Sequence, residues 1–402
     1  MKIFLVIVFA CFVTVSSVLF AGAKTVVGRS MADASLQLAG RSVLAEYDDR
    51  ILSDYGLLAF RGDEAWIEDA IVYYTEASFE NTHVEDIEAN MAGYSLLNAD
   101  TFEDQIRSAA LAEVLKSVAG SGRKGGSAKG EVSRDDGYGR VLRDTGVISS
   151  LPSGGFRSPL IPQLGAVTDI PKLDDLMDAG TALFAVSEYA LSVFGNHVDG
   201  SVEEHFFGNE VEYLIAGKKD DADNYRSVKN ELRLFRYGMN YLALSSDSNK
   251  MAKVEELTAA IVAISSETPY EGVKAAIMAA WTGAETGNDM KLLEQGDKVA
   301  LIKTKSQWAT HGIVQIADGW VAEITLKDPV YPKNRGGLKY RDYLRLMLYI
   351  MDRETKLLRI MDLIQINLKG TYYGDFLIRE HYVGFQFKCN VDGEGYDYTE
   401  KY

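Results

Sequence analysis

The stretch that decides the architecture is IFLVIVFACFVTVSSVLFAGA, Ile3 to Ala23. It carries no charge, and at 1.5 Å rise per residue it is long enough to cross a hydrocarbon core of ~30 Å. Lys2 precedes it, Lys24 and Arg29 follow it, and a long polar, acidic chain comes after. Two readings compete. A cleaved signal peptide has a shorter apolar core and a small-residue site, which Ala21-Gly22-Ala23 fits by letter. A retained transmembrane segment (1–23) accounts for the longer apolar run and the single basic residue before it. The helical pattern also continues past Ala23. Leu36, Ala39, Val43, Tyr47, Ile51 and Tyr55 recur at three- and four-residue spacings, with no proline between Lys24 and Phe60. The spacing predicts one unbroken helix from Lys24 to about Tyr55. It forms a stalk (24–60) whose Leu36, Val43, Tyr47 and Ile51 face a folded domain.

The 402 residues suffice for a large core, and the formal net charge is −16. Such acidity argues against nucleic-acid binding, which needs a basic face. Cys11 lies inside the apolar segment and Cys389 near the other end, so neither a disulfide within the chain nor a zinc cluster is expected. Positive charge flanks both ends of the segment, so orientation is weakly determined. The short tail before it favours a cytoplasmic N-terminus and an extracytoplasmic domain at the cell membrane.

The remainder reads as α+β, with separated strands forming a small, mainly antiparallel sheet. A helical region (61–119) has helices over 65–78 and 103–118. The span 120–165 is rich in Gly and Ser, with Pro152, Pro159 and Pro162, and reads as a loop or linker. A main α+β domain (166–402) follows. Helices are expected over 173–194, 225–244, 251–265, 270–296, 338–350 and 353–368. Strands are expected over 210–216 (EVEYLIA), 298–304 (KVALIKT), 313–316, 320–326 and 382–391. Thr268-Pro269-Tyr270-Glu271 has capping-box spacing, with Pro269 suited to the first helical position.

Chemistry is sparse. The five histidines, His83, His197, His205, His311 and His381, have no metal-binding spacing. There is no nucleophile elbow and no phosphate loop, and no cofactor is expected. Trp281, Glu285 and Asp289 share one face of a helix at i, i+4, i+8, with Lys303 and Trp308 following. Two carboxylates one turn apart are candidate metal ligands or an acid/base pair. The plainer reading is a buried ion-pair network with Lys303, Arg345 and Arg359 as partners, since an unpaired buried carboxylate is too costly. Arg359 and Asp362, on the apolar LLRIMDLIQIN helix, read as packing or pairing groups.

Several runs also carry a resemblance: SVLAEYDDRILSDYGLLAF (42–60), FEDQI (102–106), ELRLFRYGMN (231–240), AAWTGAETGNDMKLLEQGDKVALIKTKSQW (279–308), and LKYRDYLRLML with LLRIMDLIQIN (338–367). The chain resembles TadE/TadG-like minor pilins (pseudopilins) of Flp-type, tight-adherence pilus systems. The likeness is to a Gram-positive branch of unknown function with a large soluble domain. The resemblance implies a non-enzymatic, membrane-anchored component of a pilus or secretion apparatus at the cell surface. Its partners would be other membrane proteins of that apparatus. A prepilin pattern has Gly or Ala and then Glu five residues into the helix; here position 5 is Leu5. Small residues (Ser16, Ser17, Ala21, Gly22, Ala23) permit close approach of identical helices, and hence a homo-oligomer. The alternative is an anchored extracytoplasmic enzyme, or a metal- or ligand-binding module, using Glu285 and Asp289.

Overall fold

The computed structural model describes residues 2–78, 84–118, 140–155, 181–202, 204–264, 269–310, 328–391 and 393–402. The fold is α+β, and the chain divides into two compact units, Met1–Gln105 with Leu377–Tyr402, and Ile106–Phe376. The closing segment Leu377–Tyr402 thus belongs with the N-terminal unit, where the sequence division grouped it with 166–402.

In the first unit, helix α1 (Lys2–Leu44) runs for 43 residues, about 64 Å. Its N-terminal half is bare: Ile3 is 79% exposed, Phe12 68% and Phe20 74%. It is the one helix among the described residues that is long and apolar enough to cross a membrane. Farther along, Leu36, Ala39 and Val43 are fully buried. They pack against α3 (Glu64–Ser78) and against a three-stranded sheet, sharing a core with Ile67, Ile71, Phe385, Phe387 and Val391. The sheet order is β2 (Val84–Asn90), β4 (Gly384–Val391), β5 (Glu394–Lys401), all antiparallel. A two-stranded ladder pairs β1 (Phe60–Arg61) with β3 (His381–Tyr382). Gly40 permits the closest approach of α1 to β5, since a Cβ there would lie 2.7 Å from Glu400 Cγ.

The unbroken helix expected through Tyr55 is not formed. α1 stops at Leu44, whose carbonyl accepts a hydrogen bond from the Tyr402 hydroxyl. A separate α2 (Asp49–Tyr55) follows. Asp48 starts it, accepting from the N–H groups of Arg50 at 2.8 Å and Ile51 at 3.0 Å, and Gly56 ends it at φ +70°. Ile51 is therefore buried on a different helix, and Tyr47 lies in the break, 38% exposed, instead of on the packed face. The helical region 61–119 contains α3, α4 (Ala99–Val118) and also the unforeseen strand β2.

The second unit is helical. Its described helices are the larger part of α4, from Ile106 on, then α5 (Thr145–Ser149), α6 (Thr181–Val193), α7 (Glu210–Ala216), α8 (Asp221–Ser245), α9 (Ser248–Ile264), α10 (Tyr270–Glu294), α11 (Tyr340–Ile350) and α12 (Arg353–Thr371). The short α5 lies inside the stretch read as a linker. α8, α9 and α10 pack side by side, while α7 is enclosed by α8, α11 and α12. The strand expected at 210–216 is thus a helix with all seven residues buried. A segment buried on every side has no polar face, so its hydrophobic period does not separate strand from helix. The turn residue Gly217, at φ +64°, closes it. The strand expected at 298–304 reduces to a single antiparallel bridge between Val299 and Leu338. Pro269 is the residue before the helix, not its first member. The strands expected at 313–316 and 320–326, and the start of the helix at 173, lie outside the described residues.

The packed end of α1 gives a direct test. Val43→Asp puts an unpaired charge into the core of the first unit and is expected to destabilise it by roughly 3 kcal/mol or more. Leu38, 54% exposed on the same helix, should tolerate Asp within about 0.5 kcal/mol. Limited proteolysis of the detergent-solubilised protein along a urea series reads both. Equal behaviour of the two variants would mean that α1 does not pack on the sheet.

Candidate functional site

α10 carries the residues that the sequence singled out. Trp281, Glu285 and Asp289 do fall on one face, and the structure brings Lys303 and Trp308 to them. Both carboxylates have no exposed surface. The Lys303 ammonium bridges them, hydrogen-bonded to Glu285 Oε1 and Asp289 Oδ1. Glu285 also accepts from the N–H of Ala309 (3.0 Å), the N–H of Thr310 (2.8 Å) and the Thr310 hydroxyl (2.7 Å). Asp289 Oδ2 accepts from Arg236 Nη2 (2.9 Å) and Asn240 Nδ2 (2.8 Å). Arg236, fully buried on α8, goes on to donate to the Leu301 carbonyl at 2.9 Å. Two carboxylates face two cations, and all four carboxylate oxygens are engaged. Thr310 ties the tryptophans in as well. Its carbonyl accepts from Trp281 Nε1 at 2.9 Å and Trp308 Nε1 at 3.0 Å, and the rings meet edge to face at 5.7 Å.

Arg345 and Arg359 are not the partners that the sequence suggested. Arg345 pairs with Glu188 and Asp342. Arg359 donates to the Leu214 (2.6 Å) and Ile215 (2.7 Å) carbonyls at the end of α7, and burial pushes its pKa down. It passes under Gly217, where a Cβ would lie 2.3 Å from its Nη2. Asp362 accepts from the Ser153 N–H (3.0 Å) and the Tyr213 hydroxyl (2.9 Å), and burial pushes its carboxyl up. Arg236, the cation that completes the network, sits within the quoted run ELRLFRYGMN. A charged residue among apolar ones on the inner face of α8 is the signal that would have found it.

This geometry withdraws Glu285 and Asp289 from solvent-facing chemistry. A metal ligand or an acid/base pair needs an oxygen free to meet an ion or substrate, and Lys303 holds the position between the carboxylates. Among the described residues, no group of three or more His, Cys, Asp or Glu side chains is placed to hold a metal ion.

A second polar cluster surrounds α7. Glu210 and Glu212, one on each side of Val211, are fully buried. Glu210 accepts from Asn367 Nδ2 (2.8 Å), the Gly195 N–H (3.0 Å) and His205 Nδ1 (2.9 Å). Asp221, at the start of α8, accepts from the N–H groups of Gly208 (3.0 Å) and Asn209 (2.9 Å), and burial raises its pKa. Beside this cluster lies a small surface recess of about 120 Å³, its walls formed by three segments, 198–199, 294–296 and 339–341. Reading 210–216 as a strand hid this cluster, because a strand would have sent Glu210 and Glu212 to its solvent side.

Residues 155–393 match the model of a Family of unknown function (DUF5702). That is more than half of the chain. The protein belongs to DUF5702. No curated protein and no solved structure matches it. The match takes in both polar clusters and stops short of α1.

If the α10 network holds by charge balance, Lys303→Met, which leaves two buried carboxylates to one cation, should cost about 3–5 kcal/mol. Adding Glu285→Gln restores the balance and should recover a large part of that loss. Urea unfolding of the four members of this cycle measures the coupling. Strict additivity would show that the pair does not act as a unit.

Proposed function

We propose that this DUF5702 protein is a membrane-anchored structural or assembly component of a Tad-like (Flp-type) pilus or secretion apparatus, and that it acts without catalysis. Its N-terminus lies in the cytoplasm and its folded part outside. The observation that carries the reading is the division of α1. The first half offers bare apolar side chains over a bilayer's thickness, and the second half is fastened into a folded core. Rigid continuity between the two makes the folded part follow the tilt of the anchor, as an assembly subunit requires. The resemblance of 42–60 and the later runs to TadE/TadG-like pseudopilins supports the same role. The buried, balanced α10 network supports a structural part for the residues with the strongest catalytic look. The partners on this reading are the membrane proteins of the apparatus and other copies of this chain, which meet through the small residues of α1.

Cell fractionation followed by protease treatment of intact cells tests the anchoring. The chain should stay with membranes after an alkaline carbonate wash, and external protease should remove its folded part. A soluble mature chain starting at Lys24 would replace the anchor with a cleaved signal sequence, and a protected domain would reverse the orientation. For the helix contact, Ser17→Cys in a Cys11→Ser background should form disulfide-linked dimers under mild oxidant in membranes. Only monomers there would remove the homo-oligomer from the proposal.

A further inference from the structure

Glu212 has no exposed surface and, among the described residues, no paired cation. Its Oε1 accepts two hydrogen bonds, from the His197 N–H at 3.0 Å and from the Tyr340 hydroxyl at 2.8 Å. Among the described residues its Oε2 meets no hydrogen-bond partner. The surroundings hold carboxylates, phenols and cations: Lys229 pairs with Glu294 and lies over the Tyr225 ring, and Lys339 and Arg341 line the recess. Glu210 and Tyr213 share its helix, Asp221 and Tyr225 face it from α8, Glu294 lies at the end of α10, and Tyr340 comes from α11. From α12, Asp362 is bonded to Tyr213 and Arg359 to the carbonyls that end α7. The imidazole of His197 is turned aside, stacked on Tyr225 at 3.6 Å and bonded to Asn209.

The two donors to Glu212 come from, or directly adjoin, two of the segments that line the recess. His197 adjoins Val198 and Asp199, and Tyr340 is itself a lining residue. One carboxyl oxygen thus fastens both segments. We propose that Glu212 is a proton-operated clamp on this recess: neutral, it holds the 197–199 and 339–341 walls in a dry seam, and ionised, it draws in water through the recess and parts them. The neutral acid keeps its carbonyl oxygen as acceptor for both donors. The ionised form carries a full charge whose second oxygen has nothing to meet, and water is the partner that such a charge recruits.

The sign of the pH dependence follows. Burial pushes the Glu212 carboxyl up to about 7, above its ordinary value in an opened, hydrated seam. The closed form therefore binds the proton more tightly. Its advantage is complete at low pH and is lost as pH rises through about 7. With an ordinary carboxyl in the open form, the opening equilibrium should increase about tenfold between pH 6 and pH 8. This inference is independent of the anchoring role.

Hydrogen–deuterium exchange of the full chain in detergent, corrected for the intrinsic pH dependence of exchange, reads the clamp. Peptides over 194–202 and 338–345 should exchange about tenfold faster at pH 8 than at pH 6, while peptides from α9 should not change. Glu212→Gln mimics the neutral acid and should abolish the difference. Tyr340→Phe cuts the hold on the 339–341 wall and should raise exchange over 338–345 at pH 6 toward its pH 8 level, which keeps the test decisive if the Gln variant does not fold. Wild-type exchange in these peptides that is flat with pH overturns the clamp. So does a change shared by the whole second unit, or exchange over 338–345 at pH 6 that Tyr340→Phe leaves unchanged.

Discussion

A carboxylate sealed from water has three ways to survive: a cation, a set of donors, or a proton. The second unit uses all three, and its architecture follows from where each is supplied. Glu285 and Asp289 take cations, so the segment after α10 must return Lys303 to that helix while α8 presents Arg236 from the other side. Glu210 takes donors, which fixes the 195–205 loop and α12 around α7. Glu212 has two donors for one oxygen and none for the other, and its carboxyl rises toward neutrality. Removing any of these partners leaves a buried charge unanswered, a larger penalty than the loss of an equal apolar contact.

The first unit obeys a different constraint. α1 is apolar along its N-terminal half on every face and apolar along one face thereafter, so two media are needed to cover it. The sheet covers the second half, with Phe385, Phe387 and Val391 alternating toward it while Lys388 points away. Full burial of Leu36 and Val43 contributes roughly 1.5–3 kcal/mol each, as an upper estimate. The missing side chain of Gly40 makes room for the Glu400 side chain where α1 meets β5.

Much of this was legible in the sequence because long periods carry information. The helices at 225–244, 251–265, 270–296, 338–350 and 353–368 each run for three turns or more, and the structure has a helix at each. Placing Glu285, Asp289 and Lys303 together needed only helical spacing and the penalty for unpaired charge. The failures are local. Seven buried residues at 210–216 hold no face to read. At 45–48 no proline or glycine marks the end of α1, because the side chain of Asp48 and the hydroxyl of Tyr402, 354 positions apart in number, complete the two helix ends between them. Strands β2 and β5 are rich in charge and turn residues, and they become strands by pairing with β4. Arg345 and Arg359 were matched to the wrong carboxylates, since sequence distance says nothing of which cation a fold will bring.

The reach of the family match adds a last step. It ends at residue 393, just beyond β4, yet β4 is the central strand of the first unit's sheet. Its partners β2 and β5 both lie outside the matched segment, as do α1 and α3, which cover its apolar face. A central strand with Phe385, Phe387 and Cys389 on one face cannot stand without neighbours, because both rows of backbone groups and that face need partners. The 377–393 end of the matched segment therefore finds its cover outside the match, whereas the rest of the match belongs to the compact second unit. What the N-terminal hundred residues supply is the cover for the strand at the other end of the chain, and part of it comes on the same helix that carries the long apolar segment. The apolar segment and the sheet's cover are for this reason parts of one helix. A cut between Ala23 and Lys24 would leave α1 its packed half and its place on the sheet, whereas a cut after Leu44 would take α1's share of the sheet's cover away with the apolar segment.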